Sequence, residues 1–135
     1  MANLIVDASV AVKWFFGEPD SQRANDLREE EFDFIAPELI IAEIGNAAWK
    51  KRSRNEIDVV GAIFVVRHAP LVFASLVSII DLAEAAMRLS ATLLHPIYDC
   101  FYLALAERES APIVSADARL LAAAKRLPSI AARKL

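Results

Sequence analysis

Four carboxylates stand where a small protein has little reason to put charge. Asp7 closes the apolar run Leu4-Ile5-Val6, and apolar sequence resumes at once. Glu43, within "LIIAEIGNAAW", is the only charge between Glu38 and Lys50. Asp99 falls in the first turn of an apolar segment, and Asp117 follows "PIVS" by one residue. Singly, Asp7, Asp99 and Asp117 read as residues near helix N-termini, where a carboxylate gains roughly 0.3–1 kcal/mol. Glu43 resists that reading because it is mid-helix, with Leu39, Ile40 and Ala47 on its face. A carboxylate buried there costs several kcal/mol or stays protonated unless a cation such as Arg meets it. Together the four suggest a different chemistry. Convergent carboxylates with no cation among them call for a bound divalent metal, and all-oxygen ligation selects Mg²⁺ or Mn²⁺ over Zn²⁺.

Other chemistries find little support. His68 and His95 lack ligand spacing and are expected at the surface or in packing. Cys100, the single cysteine, reads as a small buried hydrophobe and cannot form an internal disulfide. There is no Gly-rich phosphate loop, no G-x-S-x-G and no Ser/His/Asp set.

The elements that must position the acids alternate short apolar strands with helices. Strands are expected at Leu4–Val6, Phe32–Ala36 and Pro112–Ser115, with short ones at Leu71–Ala74, on an edge, and Ser129–Ala131. Helices are expected at Ala8–Phe16, Asp20–Glu30, Glu38–Arg52 with Pro37 in its first turn, and Glu56–Arg67. Further helices follow at Ser78–Leu94, Ile97–Ser110 and Ala116–Arg126. Apolar strands alternating with helices predict an α/β fold. It is a single domain over 1–135, with a central parallel sheet of four to five short strands and helices on both faces. Such a sheet puts Asp7 and Asp117 on its carboxyl edge, with Asp99 nearby.

A hydrophobic fraction of 56% and a mean hydropathy of +0.37 are high for a soluble chain. Even so, the longest apolar run, Ala69–Ile80, carries two serines and a proline and falls far short of the roughly 20 residues that span a bilayer. Asp7 falls where a secretory leader would be apolar, so the expected location is cytoplasmic, without membrane contact. The net charge of −3 argues against a nucleic-acid partner at first. Setting four of the 18 acids aside as metal ligands leaves the remaining surface about neutral against 15 Lys and Arg.

The segments "IVDASVAVKWFF", "APELIIAEIGNAAW" and "PIYDCFYLALAERESAPIVSADARL" resemble, in order and spacing, the PIN-domain ribonucleases. The nearest likeness is to the VapC toxins of bacterial toxin–antitoxin pairs. The family pattern falls on Asp7, Glu43, Asp99 and Asp117 as its four acids. Ser9 matches a small hydroxyl residue near the first acid, Ser115 a hydroxyl residue before the fourth, and Asn46 a polar neighbour of the second, and all three are expected to contact substrate. The stretch 55–94 carries no motif. The resemblance implies hydrolysis of RNA phosphodiester bonds with Mg²⁺ or Mn²⁺, leaving 5′-phosphate and 3′-hydroxyl ends. It makes Asp7 and Asp99 the first choices for direct metal ligands, with Glu43 and Asp117 completing the shell. It implies a homodimer restrained by a small antitoxin protein, with DNA reached only through that antitoxin.

Lys13 and Arg119, each close in sequence to a site acid, are placed either to touch substrate phosphate or simply at the surface. The basic run from Lys50 to Glu56 is either a solvated helix end or a phosphate- or partner-contacting rim. Trp14, Phe15, Phe16 and Trp49 read as core or interface rather than base-stacking residues. Three other readings were weighed. A phosphoacceptor receiver module would need paired acids after the first strand and a late Lys, and "VSAD" offers none. A PIN-like RNA-binding or scaffold module without catalysis would have no need of all four acids. A stand-alone PIN nuclease would lack the antitoxin.

Overall fold

A computed structural model describes all of residues 1–135. The elements are β1 (Ala2–Val6), α1 (Ala8–Ala11), α2 (Ser21–Arg28), β2 (Phe32–Pro37), α3 (Leu39–Ser53) and α4 (Val59–His68). They continue with β3 (Ser75–Val77), α5 (Ile79–Leu93), α6 (Ile97–Glu109), β4 (Ile113–Ser115), α7 (Ala118–Lys125) and β5 (Ala132–Lys134). All strand pairs are parallel, in the order β3-β2-β1-β4-β5. The α/β fold with a parallel sheet is as expected, with five strands.

Consecutive residues Leu4, Ile5 and Val6 are all buried. Because neighbouring strand residues point to opposite faces, both faces of the sheet must be covered. Helix α6 packs across β1, β2 and β4, and α5 packs on α6. Every residue from Cys100 to Ala106 is buried, as expected for a helix apolar on all sides. The chain leaves β1 to build β2 and β3 on one side, then returns to place β4 on the other. The carboxyl ends of β1 and β4 therefore flank the point where strand order reverses, where α/β sheets bind ligands.

Several boundaries differ from expectation for identifiable reasons. The helix expected over Ala8–Phe16 is a single turn, α1, followed by a tighter 3-10 turn at Val12–Trp14. That turn brings Trp14 against Phe34 and Phe73. Pro37 does not start a helix. It ends β2 opposite Val77, and Glu38, which has an N–H to give, donates to the Val77 carbonyl (2.8 Å). Helix α4 starts later than expected, where Asp58 accepts a bond from the Gly61 N–H (2.7 Å). Pro70 sits in a 3-10 turn at Ala69–Val72, so the edge strand begins at Ser75 rather than within 71–74. The last strand is likewise later, Ala132–Lys134, where it meets β4 in register from Ile113.

Helix α5 ends on Leu94, left-handed (φ 51°) and 90% exposed. A non-glycine residue strains in that conformation with no burial to offset it. Leu94→Gly is expected to stabilise the fold by about 0.5–1 kcal/mol. Urea denaturation measures this, and an unchanged or lower midpoint would show that the Leu94 side chain contributes contacts that outweigh the strain.

Candidate metal and nucleotide site

Asp7 ends β1 because Val6 pairs with Val114, leaving the next residue at the strand-order reversal. Its side chain caps α1, accepting from the Val10 N–H (3.3 Å). The capping reading therefore holds, and the same carboxylate is only 5% exposed. Ser9 Oγ donates to Oδ1 and Ser115 Oγ to Oδ2, both at 2.7 Å. Burial pushes the Asp7 carboxyl up to about 6; these hydrogen bonds hold it down in part, and the charge of Asp117 adds to the rise.

The two serines also tie the loops together. Ser9 Oγ accepts from the Ala116 N–H and Ser115 Oγ from the Asp117 N–H, each at 2.9 Å. Their hydroxyl protons are committed to Asp7, and Ser115 is fully buried. Neither hydroxyl is free as a substrate donor; they orient the first and fourth acids instead.

Glu43 has no arginine partner. The Tyr102 hydroxyl, buried on α6, donates to Glu43 Oε1 at 2.6 Å. Burial raises the Glu43 carboxyl, the Tyr102 bond opposes this, and the charges of Asp7 and Asp99 raise it further. Burial and the same three carboxylates push the Tyr102 phenol well above its usual range. Asp99 does not cap α6. Its Oδ2 lies 2.6 Å from Nε2 of His95, which is therefore a neighbour of the acids rather than a surface or packing residue. Asp117 caps α7, accepting from the Arg119 N–H (2.9 Å).

The four acids thus occupy one neighbourhood, felt through their mutual charges, and no Lys or Arg forms a salt bridge with any of them. No three His, Cys, Asp or Glu side chains close around a single point, however. Each acid takes its own local partner instead: Tyr102, His95 or a helix N-terminus. The donors fit a hard divalent cation in chemistry, being all carboxylate oxygen and lacking a neutralising cation.

A groove of about 400 Å³ opens beside Glu43, lined mainly by apolar side chains with Ser9, Asn46 and the exposed Tyr98. Asn46 therefore reaches the groove, as its position one turn after Glu43 implies. Lys13 does not serve the acids: its ammonium is 2.9 Å from Glu18 and 4.0 Å from Asp20. The Arg119 side chain is exposed and without an acidic partner. Trp14 packs at a tilt against Phe34 and Phe73 and donates its indole N–H to the Ala24 carbonyl (2.7 Å), so it is packing rather than a base platform. Trp49, expected in the core or at an interface, is outside the core at 62% exposed. The basic run lies roughly 10–16 Å beyond Glu43 along α3, and Lys51 pairs with Glu56. Burial pushes the Cys100 thiol up to about 11, which excludes it as a nucleophile near neutral pH.

Tyr102 and His95 were missed as site neighbours by sequence reasoning. Tyr102 lies one turn after Asp99 and so on its side of the helix, a signal that was present. His95 lies four residues before Asp99, a spacing that was also present, but it precedes Pro96 and the first turn of α6.

The family model of the PIN domain matches residues 4–126. Among solved structures, the chain is similar to PAE2754 from Pyrobaculum aerophilum, at 23% identity and a TM-score of 0.70, covering 97% of this chain and 83% of that one. It is similar to a chain of a toxin-antitoxin complex from Klebsiella pneumoniae, at 16% identity and a TM-score of 0.67, covering 94% of each. It is also similar to a chain of VapBC2 from Rickettsia felis bound to a DNA fragment from their promoter, at 14% identity, a TM-score of 0.70 and 98% coverage of each. No curated protein matches the sequence. At these identities the structural likeness concerns the fold.

Proposed function

The chain belongs to the PIN-domain family, and from that premise we propose that it is a metal-dependent endoribonuclease acting as the toxin of a toxin–antitoxin pair. The observation that carries the reading is Asp7. It is a carboxylate 5% exposed at the strand-order reversal, with three further acids around it and no Lys or Arg paired to them. Asp7 and Asp99 would hold Mg²⁺, or Mn²⁺ in its place, with Glu43 and Asp117 completing the oxygen shell. Bound there, the ion would polarise the scissile phosphate and make a water more acidic.

The chain's own residues have defined tasks. Ser9 and Ser115 fix both Asp7 oxygens in one orientation. Tyr102 occupies Glu43 Oε1, leaving Oε2 to orient a water for in-line attack on phosphorus. The groove past Ser9, Asn46 and Tyr98 receives the RNA strand. Two of the similar structures bear titles naming a toxin-antitoxin complex and VapBC2 on promoter DNA, which supports a small antitoxin partner, with DNA met only through it. Exposed Trp49, Val60, Ile63 and Phe64 on α3 and α4 support a further protein contact, read as the homodimer. The place of action is the cytoplasm.

Incubation of the purified protein with total RNA tests this reading. Cleavage with Mg²⁺ and none with EDTA is expected, and addition of the product of the neighbouring reading frame should stop it. Intact RNA under both conditions would favour a binding module.

Divalent metal is also expected to stabilise the fold. A ligand bound only by the native state adds about 2.7 kcal/mol at a hundredfold excess over its Kd. Thermal melts should therefore rise by several degrees with saturating Mn²⁺, and by less in Asp99→Asn. An unmoved midpoint would count against the site.

A further inference from the structure

Apart from the groove, the molecule has a notch of about 270 Å³ lined by residues that include Leu93, Leu94, His95, Arg119, Ala123 and Arg126, with no acid among its lining residues. We propose that this notch is a phosphate subsite, holding an RNA backbone phosphate that flanks the cleaved bond; the proposal rests on the ribonuclease reading above.

The notch is joined to the acids at two points. His95 lines it while its Nε2 lies 2.6 Å from Asp99. Arg119 lines it while its backbone N–H donates to Asp117. Its two guanidiniums are not consumed elsewhere. Arg119 makes no side-chain hydrogen bond or salt bridge, whereas Lys13, Lys51, Arg88, Arg108 and Arg133 are paired with acids. Arg126 donates one N–H to the Leu93 carbonyl at 2.8 Å, an orphan carbonyl at the end of α5, and keeps the rest of its five donors.

Charge favours such a subsite. An RNA strand carries an anion at every nucleotide and meets four carboxylates at the cleavage point, so cations are needed beside them to hold it. Guanidiniums suit the task because their paired N–H groups match phosphate oxygens. The left-handed turn at Leu94 shapes the wall by sending the chain sharply from α5 to His95.

The test uses full-length Asp7→Asn protein, in which cleavage is blocked, and a short fluorescein-labelled oligouridylate followed by anisotropy over a range of KCl. Each phosphate contact on a single strand contributes about 0.7 to the slope of log K against log salt. Arg119→Ala should weaken binding and flatten that slope by about 0.7. Arg126→Gln, which retains an amide donor for the Leu93 carbonyl, should do the same. Arg119→Lys should keep the slope, and Arg67→Ala, outside groove and notch, should change neither quantity. Unchanged slopes in Arg119→Ala and Arg126→Gln would overturn the subsite, as would weaker binding at an unaltered slope. Failure of the parent to bind the oligonucleotide at all would overturn the ribonuclease reading and the subsite with it.

Discussion

Asp7→Asn should lose RNA cleavage by two to three orders of magnitude while making the metal-free protein more stable near neutral pH. The activity estimate is the usual cost, about 10²–10³, of removing one preorganised electrostatic group from a site. The stability gain follows from burial. The Asp7 carboxyl titrates at about 6 in the folded chain, against an ordinary value of 3.8. Between those values the folded state holds a proton that the unfolded state has released. Stability is therefore fully present below the lower value and falls as pH rises through the upper one, by about 3 kcal/mol in order of magnitude. Asparagine has no charge to desolvate and is as good an N-cap as aspartate, so the bond from the Val10 N–H survives. The variant should thus gain most at pH 7–8 and little at pH 3. Urea unfolding at the two pH values measures the difference, and a variant less stable than the parent at pH 7–8 would show that the serine bonds to the carboxylate outweigh the cost of burial.

Tyr102 is expected to give the largest loss of stability among the site residues. It is 2% exposed, and its ring is packed into the core while its hydroxyl holds Glu43. Tyr102→Ala empties that volume and should cost about 3–5 kcal/mol, as large-to-small aromatic substitutions do. Tyr102→Phe keeps the ring and removes only the bond to Glu43, worth about 1–3 kcal/mol for a charged acceptor. The Phe variant should fold, keep its affinity for RNA and lower kcat, because Glu43 loses the bond that fixes its orientation. A Phe variant with unchanged kcat would show that Tyr102 is packing alone.

The acids themselves were legible because their local context was anomalous: charge after an all-apolar strand, charge within an apolar helix, charge at the start of a buried one. The partners of Lys13 and Ser115 were not legible, because the sequence does not say which of several polar neighbours a side chain meets. Lys13 finds Glu18 instead of the acids. Ser9 reaches Asp7 locally, two residues away, whereas Ser115 does so because β1 and β4 lie side by side, which puts it opposite a residue 108 positions away.

Hydrophobic patterning along the chain by itself determined the α/β class, the parallel sheet and the carboxyl-edge position of Asp7 and Asp117. Those features follow from periodicities of two and about 3.6 residues and from the need to cover both faces of an apolar strand. The boundaries at Pro37, Ser75 and Ala132 depended on tertiary structure, because a strand ends where its neighbour's backbone ends. So did the partners of the acids. Tyr102 reaches Glu43 across 59 residues only once α6 is laid over the sheet. His95 meets Asp99 only after Leu94 and Pro96 have turned the chain. Each partner is chosen by the packing of distant elements, since a buried carboxylate must take whatever donor the assembled core sets beside it.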